Sequence, residues 1–204
     1  MTLLTIITNV CDELGLPRPS TVVGNSDQTA RTLLSHANKV GEDVMKAHDW
    51  TNLTRTHTFT VASGTGEYAL PTDYDRLKFN TEWDRTNKRP LIGPLDGVDW
   101  QVLKSSALGA TGIGYRFRIF RSASGTTRKI YLDPVPTNSA DSIAFEYISN
   151  GWCYKASDSS LQSAWALDSD VPILDPTLLE LGIQLRYRRG RGLATHTPSH
   201  TLIV

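Results

Sequence analysis

Apolar residues recur along this chain with two different periods, and the change of period divides it into three blocks. Over residues 1–50 the spacing is helical. Leu3, Ile6, Ile7, Val10, Cys11 and Leu14 fall at i, i+3, i+4 and i+7, the buried face of a first helix. Gly15 stands where a left-handed C-cap belongs, and Pro17 and Pro19 forbid continuation. A second helix is predicted from "NSDQ", with Asn25 or Ser26 as its cap. Ala30, Leu33, Leu34, Ala37, Val40 and Val44 form its apolar stripe, while Lys39, Glu42, Asp43 and Lys46 face elsewhere. Trp50 closes the block and is expected to anchor it to the next.

From 51 to 157 the period becomes two. "THTFTVASGTGEYALP" alternates around His57, Phe59 and Val61 and turns at Gly64–Gly66, which predicts a hairpin. "LKFNTEWDRTNKRPLIGP" predicts a second, with its turn near Asp84–Asn87. "WQVLKSSA" reads as a short helix. "YRFRIF" and "RKIYLDP" flank a turn in "SASGTT", and "DSIAFEYIS" alternates along its length. Short, evenly spaced strands with Gly and Pro between them indicate a sandwich or a barrel-like domain.

From 158 onward the reading returns to helix. In "VPILDPTLLELGIQLRYRRG", Asp175 is placed to cap and Pro176 to occupy the first helical position. Leu178, Leu179, Leu181, Ile183 and Leu185 cover more than half of the wheel, so this helix is expected to be packed on more than one side, beside the N-terminal pair. The fold class is therefore α+β. A helical bundle domain, 1–50 with 158–204, carries an antiparallel β-rich domain inserted at 51–157.

Composition narrows the function. Twenty-one basic residues balance twenty-one acidic ones, which argues against a protein that coats long stretches of nucleic acid. Cys11 and Cys153 lie far apart in no metal spacing and read as reduced packing residues. No apolar run approaches the ~20 residues of a membrane span. "MTLLTIITNV" lacks the basic start of a signal peptide, which predicts a cytoplasmic setting.

Candidate chemistry is sparse. "GATGIG" holds Gly109, Gly112 and Gly114 but is followed by a strand, without the Lys-Ser/Thr pair and helix of a phosphate loop. His196 and His200 are four apart with Pro198 between them and no glutamate, so metal ligation is disfavoured. Asp73 and Asp75 flank Tyr74 and fit a turn better than an acid–base pair. Asp168, Asp170 and Asp175 lack the glycine and glutamate of a calcium loop. No enzyme and no cofactor are expected.

Two basic clusters remain. Arg186, Arg188, Arg189 and Arg191 surround the end of the last helix, and three readings are open: helix-end capping with solvation, an acidic protein partner, or nucleic acid. Arg85, Lys88 and Arg89 sit at a turn, either solvated or forming a contact loop. Trp152, an aromatic of the kind that anchors interfaces, joins the candidates for a partner contact. The tail closes on Leu202, Ile203 and Val204, an apolar arm suited to a neighbour's groove or sheet edge.

Several strings, in order, resemble the head-to-tail adaptors of tailed bacteriophages, also called head-completion or tail accessory proteins. They are "LTIITNVCDELGLPRPSTVVGNSDQTARTLLSHANKVGEDVMKAHDW", "YALPTDYDRLKF", "NKRPLIGPLDGVDWQVLKSS", "FEYISNGWC" and "LDPTLLELGIQLRYRRGRG". The resemblance implies a ring, usually of twelve copies, beneath the portal. Such a ring extends the channel for double-stranded DNA, helps retain the genome and receives the next tail or nozzle protein. It implies a helical domain with a projecting β-rich one. It implies a virion protein of the portal–tail neck, assembled in the host cytoplasm, with the portal, the tail or nozzle protein and copies of itself as partners, and no membrane. Under it, Arg186, Arg188, Arg189, Arg191 and the Leu202–Val204 arm become the portal or DNA contact. Arg85, Lys88, Arg89 and Trp152 become the contact with neighbours or tail. Another neck or tail protein, such as a nozzle or terminator, and a small DNA-binding protein are the alternatives.

Overall fold

The computed structural model describes residues 1–105, 114–121 and 127–193. Four α-helices and antiparallel sheets make a mixed α+β fold. The chain divides into two compact units: Met1–Leu53 with the chain from Asn150 onward, and the continuous stretch Thr54–Ser149.

In the discontinuous unit, α1 (Leu3–Leu14) buries Leu3, Ile6, Ile7, Val10 and Cys11. Gly15 ends it at φ 65°, a left-handed conformation that costs glycine nothing. The Gly15 N–H donates to Asp12 O and the Leu16 N–H to Cys11 O, the paired bonds of a Schellman stop. The helix α2 (Gln28–Ala47) is capped by Asp27, whose carboxylate accepts from the Ala30 N–H at 3.0 Å. The cap is thus neither Asn25 nor Ser26. Asn25 instead accepts the Asp27 N–H at 2.9 Å, a local turn that delivers Asp27 to the capping position. The Trp50 indole N–H donates back to Val44 O at 2.7 Å.

A third helix of this unit, labelled α4 in chain order (Pro176–Gly190), begins at Asp175, whose carboxylate accepts from the Thr177 N–H at 2.8 Å. It packs against both α1 and α2. The approach to α2 is close at Gly182, where a Cβ would lie 2.5 Å from a methyl of Val40. Gly41 of α2 makes room for an aromatic in the same way, since a Cβ there would meet the Trp152 ring at 2.5 Å. Burial is uneven around α4: Leu179, Ile183 and Tyr187 are buried, whereas Leu178, Leu181 and Leu185 are exposed. The expected packing beside the N-terminal pair is present, but it does not cover Leu178, Leu181 and Leu185.

Residues 158–175 are not helical. They form two short strands, β10 (Leu161–Gln162) and β11 (Val171–Pro172), which flank β9 (Cys153–Tyr154). Two aspartates hold this loop in place of a helical ladder. The buried Asp170 carboxylate accepts from the N–H groups of Ala156, Ala166 and Leu167 and from the Gln162 amide. The Asp168 carboxylate accepts from the N–H groups of Val22 and Val23. The backbone joins in, with Leu3 N–H donating to Asp170 O and Leu4 N–H to Asp168 O.

The continuous unit is two sheets around one core. In the larger, β8 (Ser142–Ser149) pairs with β1 (Thr54–Thr60) on one side; on the other it pairs with β3 (Tyr74–Leu77) and β4 (Trp83–Asp84), and β5 (Arg89–Pro90) follows β4. In the smaller, β7 (Arg128–Asp133) lies between β2 (Glu67–Ala69) and β6 (Arg116–Arg121). Phe117, Ile130 and Leu132 from one sheet meet Ile143, Phe145 and Tyr147 from the other in a shared core, the face-to-face burial of a sandwich. The short helix α3 (Gly97–Ser105) is present as expected. The β4–β5 and β6–β7 hairpins are present too.

The predicted hairpin over 54–70 does not form. Its turn exists, with Gly64 at φ 78°, but β1 and β2 enter different sheets. The reason is that this turn is tied across to the 136–141 segment. Val61 N–H donates to Asp141 O at 2.9 Å and Gly64 N–H to Pro136 O at 2.9 Å. Those bonds take the groups that would have continued a ladder between the two strands.

Candidate partner-contact surfaces

The end of α4 sorts its four arginines by what each meets. Arg186 forms an ion pair with Asp43 on α2. The Arg191 guanidinium lies 5.3 Å from the Tyr187 ring centre, a cation–π contact with its own helix end. Arg188 and Arg189 have no ion-pair partner among the described residues. None of the four is needed to hydrogen-bond the last carbonyls. The Leu193 N–H donates to Arg188 O, the Gly192 N–H to Arg189 O and the Arg191 N–H to Tyr187 O. The helix is closed by its own backbone, and two cations stand beside it.

Alongside them runs an apolar stripe. Leu178 is 41 % exposed, Leu181 58 % and Leu185 38 %. Sequence reading found these leucines and assigned them to burial. The wheel count alone held the signal that one chain cannot cover every side of this helix.

The turn between β4 and β5 treats its cations differently. Asp84, almost wholly buried, accepts from the N–H groups of Thr86 and Asn87 and from the Asn87 amide. Arg89 turns inward, with its Nε 3.6 Å from Asp84. Arg85 and Lys88 stay exposed at the tip, Lys88 in a left-handed conformation at φ 55°. Beneath them Asp141 accepts from the Tyr115 hydroxyl at 2.8 Å and the Asn138 amide at 3.1 Å. Burial works against the Asp141 charge. The bonds from Tyr115, Asn138 and Asn87, with Arg89 nearby, still hold its carboxyl below the ordinary range.

Trp152 leaves the set of contact residues. Its side chain has no exposed surface, its indole N–H donates to Ser163 O at 2.9 Å, and its ring meets Trp165 edge-on at 5.0 Å. The aromatic character that made it an interface candidate could not reveal that Gly41 opens a slot for it. Leu202, Ile203, Val204, His196, His200, Gly109 and Gly112 lie outside the described residues. Gly114 is described, at φ 112° beside Arg89.

The residues that might carry chemistry hold structure together. Asp73 accepts from the Tyr147 and Ser149 hydroxyls, whereas Asp75 pairs with Arg76, so the two carboxylates do not converge. Both cysteines are free and buried. Burial, then Asp170, pushes the Cys153 thiol up to about 12, and burial raises that of Cys11. Burial, then the Arg186 charge, lowers His36. Among the described residues no group of His, Cys, Asp and Glu is placed to hold a metal ion. Among them, too, no helix is long and apolar enough to cross a membrane.

A comparison with curated proteins finds no match. The profile of the SU10 adaptor protein family matches residues 1–191, and with almost its whole length accounted for the chain belongs to that family of phage head-to-tail adaptors.

Proposed function

We propose that this chain is a structural virion protein that forms a ring at the phage neck and joins the portal to the tail. The family match over residues 1–191 carries the reading. Twelve copies would match the portal, and the packaged double-stranded DNA would pass through the lumen. Arg188, Arg189 and Arg191 then present cations toward the portal or the DNA, because Arg186 is already engaged by Asp43. Repeated around a symmetry axis, two arginines per copy with no ion-pair partner among the described residues build a strong local field from a chain with no net charge. That field would help hold the genome. Arg85 and Lys88 on the β4–β5 turn serve the contact with a neighbour or with the nozzle. Assembly takes place in the host cytoplasm.

Imaging of the portal vertex in purified particles, with the chain traced, tests this. A ring of this chain between portal and tail is the expected result. Finding it only on the capsid shell or the distal tail rejects the role and favours another tail protein.

A further inference from the structure

Single exposed leucines are ordinary on a protein surface, but three at seam spacing on a helix whose opposite side is buried are not. Leu178, Leu181 and Leu185 are three and four residues apart, the spacing at which one helix meets another. They lie within one narrow arc of α4 and run for ~10 Å along it. On one flank Thr177 and Gln184 carry no charge, while Asp12, Glu13 and Glu180 line the same hollow as Leu181. The ends of the stripe are unlike. Asp175 stands at the N-terminal end, and Arg188 and Arg189, without an ion-pair partner among the described residues, stand at the other.

That asymmetry selects the occupant. A parallel copy of α4 would set arginine against arginine. An antiparallel copy sets Leu178 against Leu185, brings Leu181 to its own counterpart, and carries Arg188 and Arg189 alongside Asp175. One patch is therefore complementary to itself about a two-fold axis, the condition for an isologous contact. We propose that the free chain pairs with a second copy through the outer side of α4, antiparallel, with Leu181 at the axis. The pair covers the leucines and occupies the helix end that the ring reading assigns to portal or DNA, so pairing and docking exclude each other. Three leucines a side fall far short of the ~1,200 Å² or more that a standing complex buries, so the pair is weak and its population rises with concentration.

The experiment uses the purified full chain and is independent of particle imaging, so the ring reading can fail while this one holds. Sedimentation across a concentration series is expected to show monomer passing to dimer. Leu181→Arg raises the dissociation constant about tenfold or more, as loss of a central anchor does. It leaves the helical circular dichroism unchanged, because the side chain is exposed. Oxidative cross-linking then reads the geometry, with a background kept low by the buried Cys11 and Cys153. Leu181→Cys is expected to cross-link with itself. Leu178→Cys and Leu185→Cys are expected to cross-link when mixed and not alone. A monomer at every concentration overturns the proposal. So does self-cross-linking of Leu178→Cys, the mark of a parallel pair, and so do closed rings in which Leu181→Cys stays uncross-linked.

Discussion

The β4–β5 turn and the end of α4 each gather arginines, and they use them differently. On the turn, Arg89 points inward to a carboxylate that is 1 % exposed. On the helix, Arg186 meets Asp43, whose side chain is 58 % exposed. In the first the carboxylate is buried and already bound to backbone N–H groups, so removing it strands those groups. The second is a surface pair, screened by water and salt. A cation at a turn can thus belong to the fold, and a cation at a helix end can remain available to a partner.

The sharpest way to break this contrast is Asp84→Ala. It removes the buried acceptor for two backbone N–H groups and an amide, and the carboxylate beside Arg89, so a loss of about 3 kcal/mol is expected in urea unfolding. A loss below about 1 kcal/mol, typical of an exposed pair, would place Arg89 in the same class as Arg186.

Acid separates the two regions next. Asp141, held below its ordinary value, contributes stability that is present above the carboxylate range and is lost as pH falls through it. Tyr115→Phe removes one of the bonds that lower it and is expected to move acid unfolding of the continuous unit to higher pH. His36 is also lowered, so its contribution is present above the histidine range and is lost as pH falls through that range. Replacing Arg186 by alanine takes away one of the causes. The His36 titration, followed by NMR, is expected to move up toward the ordinary histidine value.

Smaller still is the direct effect of Arg186→Ala on stability, about 0–1 kcal/mol and shrinking with added salt. At the bottom of the scale, Arg188→Ala with Arg189→Ala is expected to change the melting temperature scarcely at all, because no described residue pairs with either. The same double variant is expected to reduce tail attachment or genome retention in particles. Full, tailed particles at wild-type yield would assign both arginines to solvation.

What could be read in advance follows the distance over which each feature is encoded. Gly15 and the Asp175–Pro176 start of α4 act within one turn of helix, and the residues involved are adjacent. The β4–β5 turn is legible for the same reason, since Asp84 meets its partners within five residues. The pairing of β1 with β8 joins residues such as Thr54 and Ile148, and no local pattern distinguishes it from a hairpin with β2. Arg186 finds Asp43 at a separation of 143 positions, so its neutralisation is invisible along the chain. Trp152 was misread for the same reason. The hint lay in Gly41, a glycine inside an otherwise good helix, which marks a close neighbour without naming it.

The clasp of Asp168 and Asp170 on Leu3, Leu4, Val22 and Val23 bears on how the protein is made. On the ribosome, everything the sandwich needs has been synthesised once Ser149 is added. The helices α1 and α2 emerge before it, yet the groups that receive the amides of Leu3, Leu4, Val22 and Val23, and the helix α4 that packs on both, are translated after it. Nascent α1 and α2 must therefore wait, apolar faces uncovered, through more than a hundred added residues. The helices that emerge ahead of the sandwich complete their packing only after it.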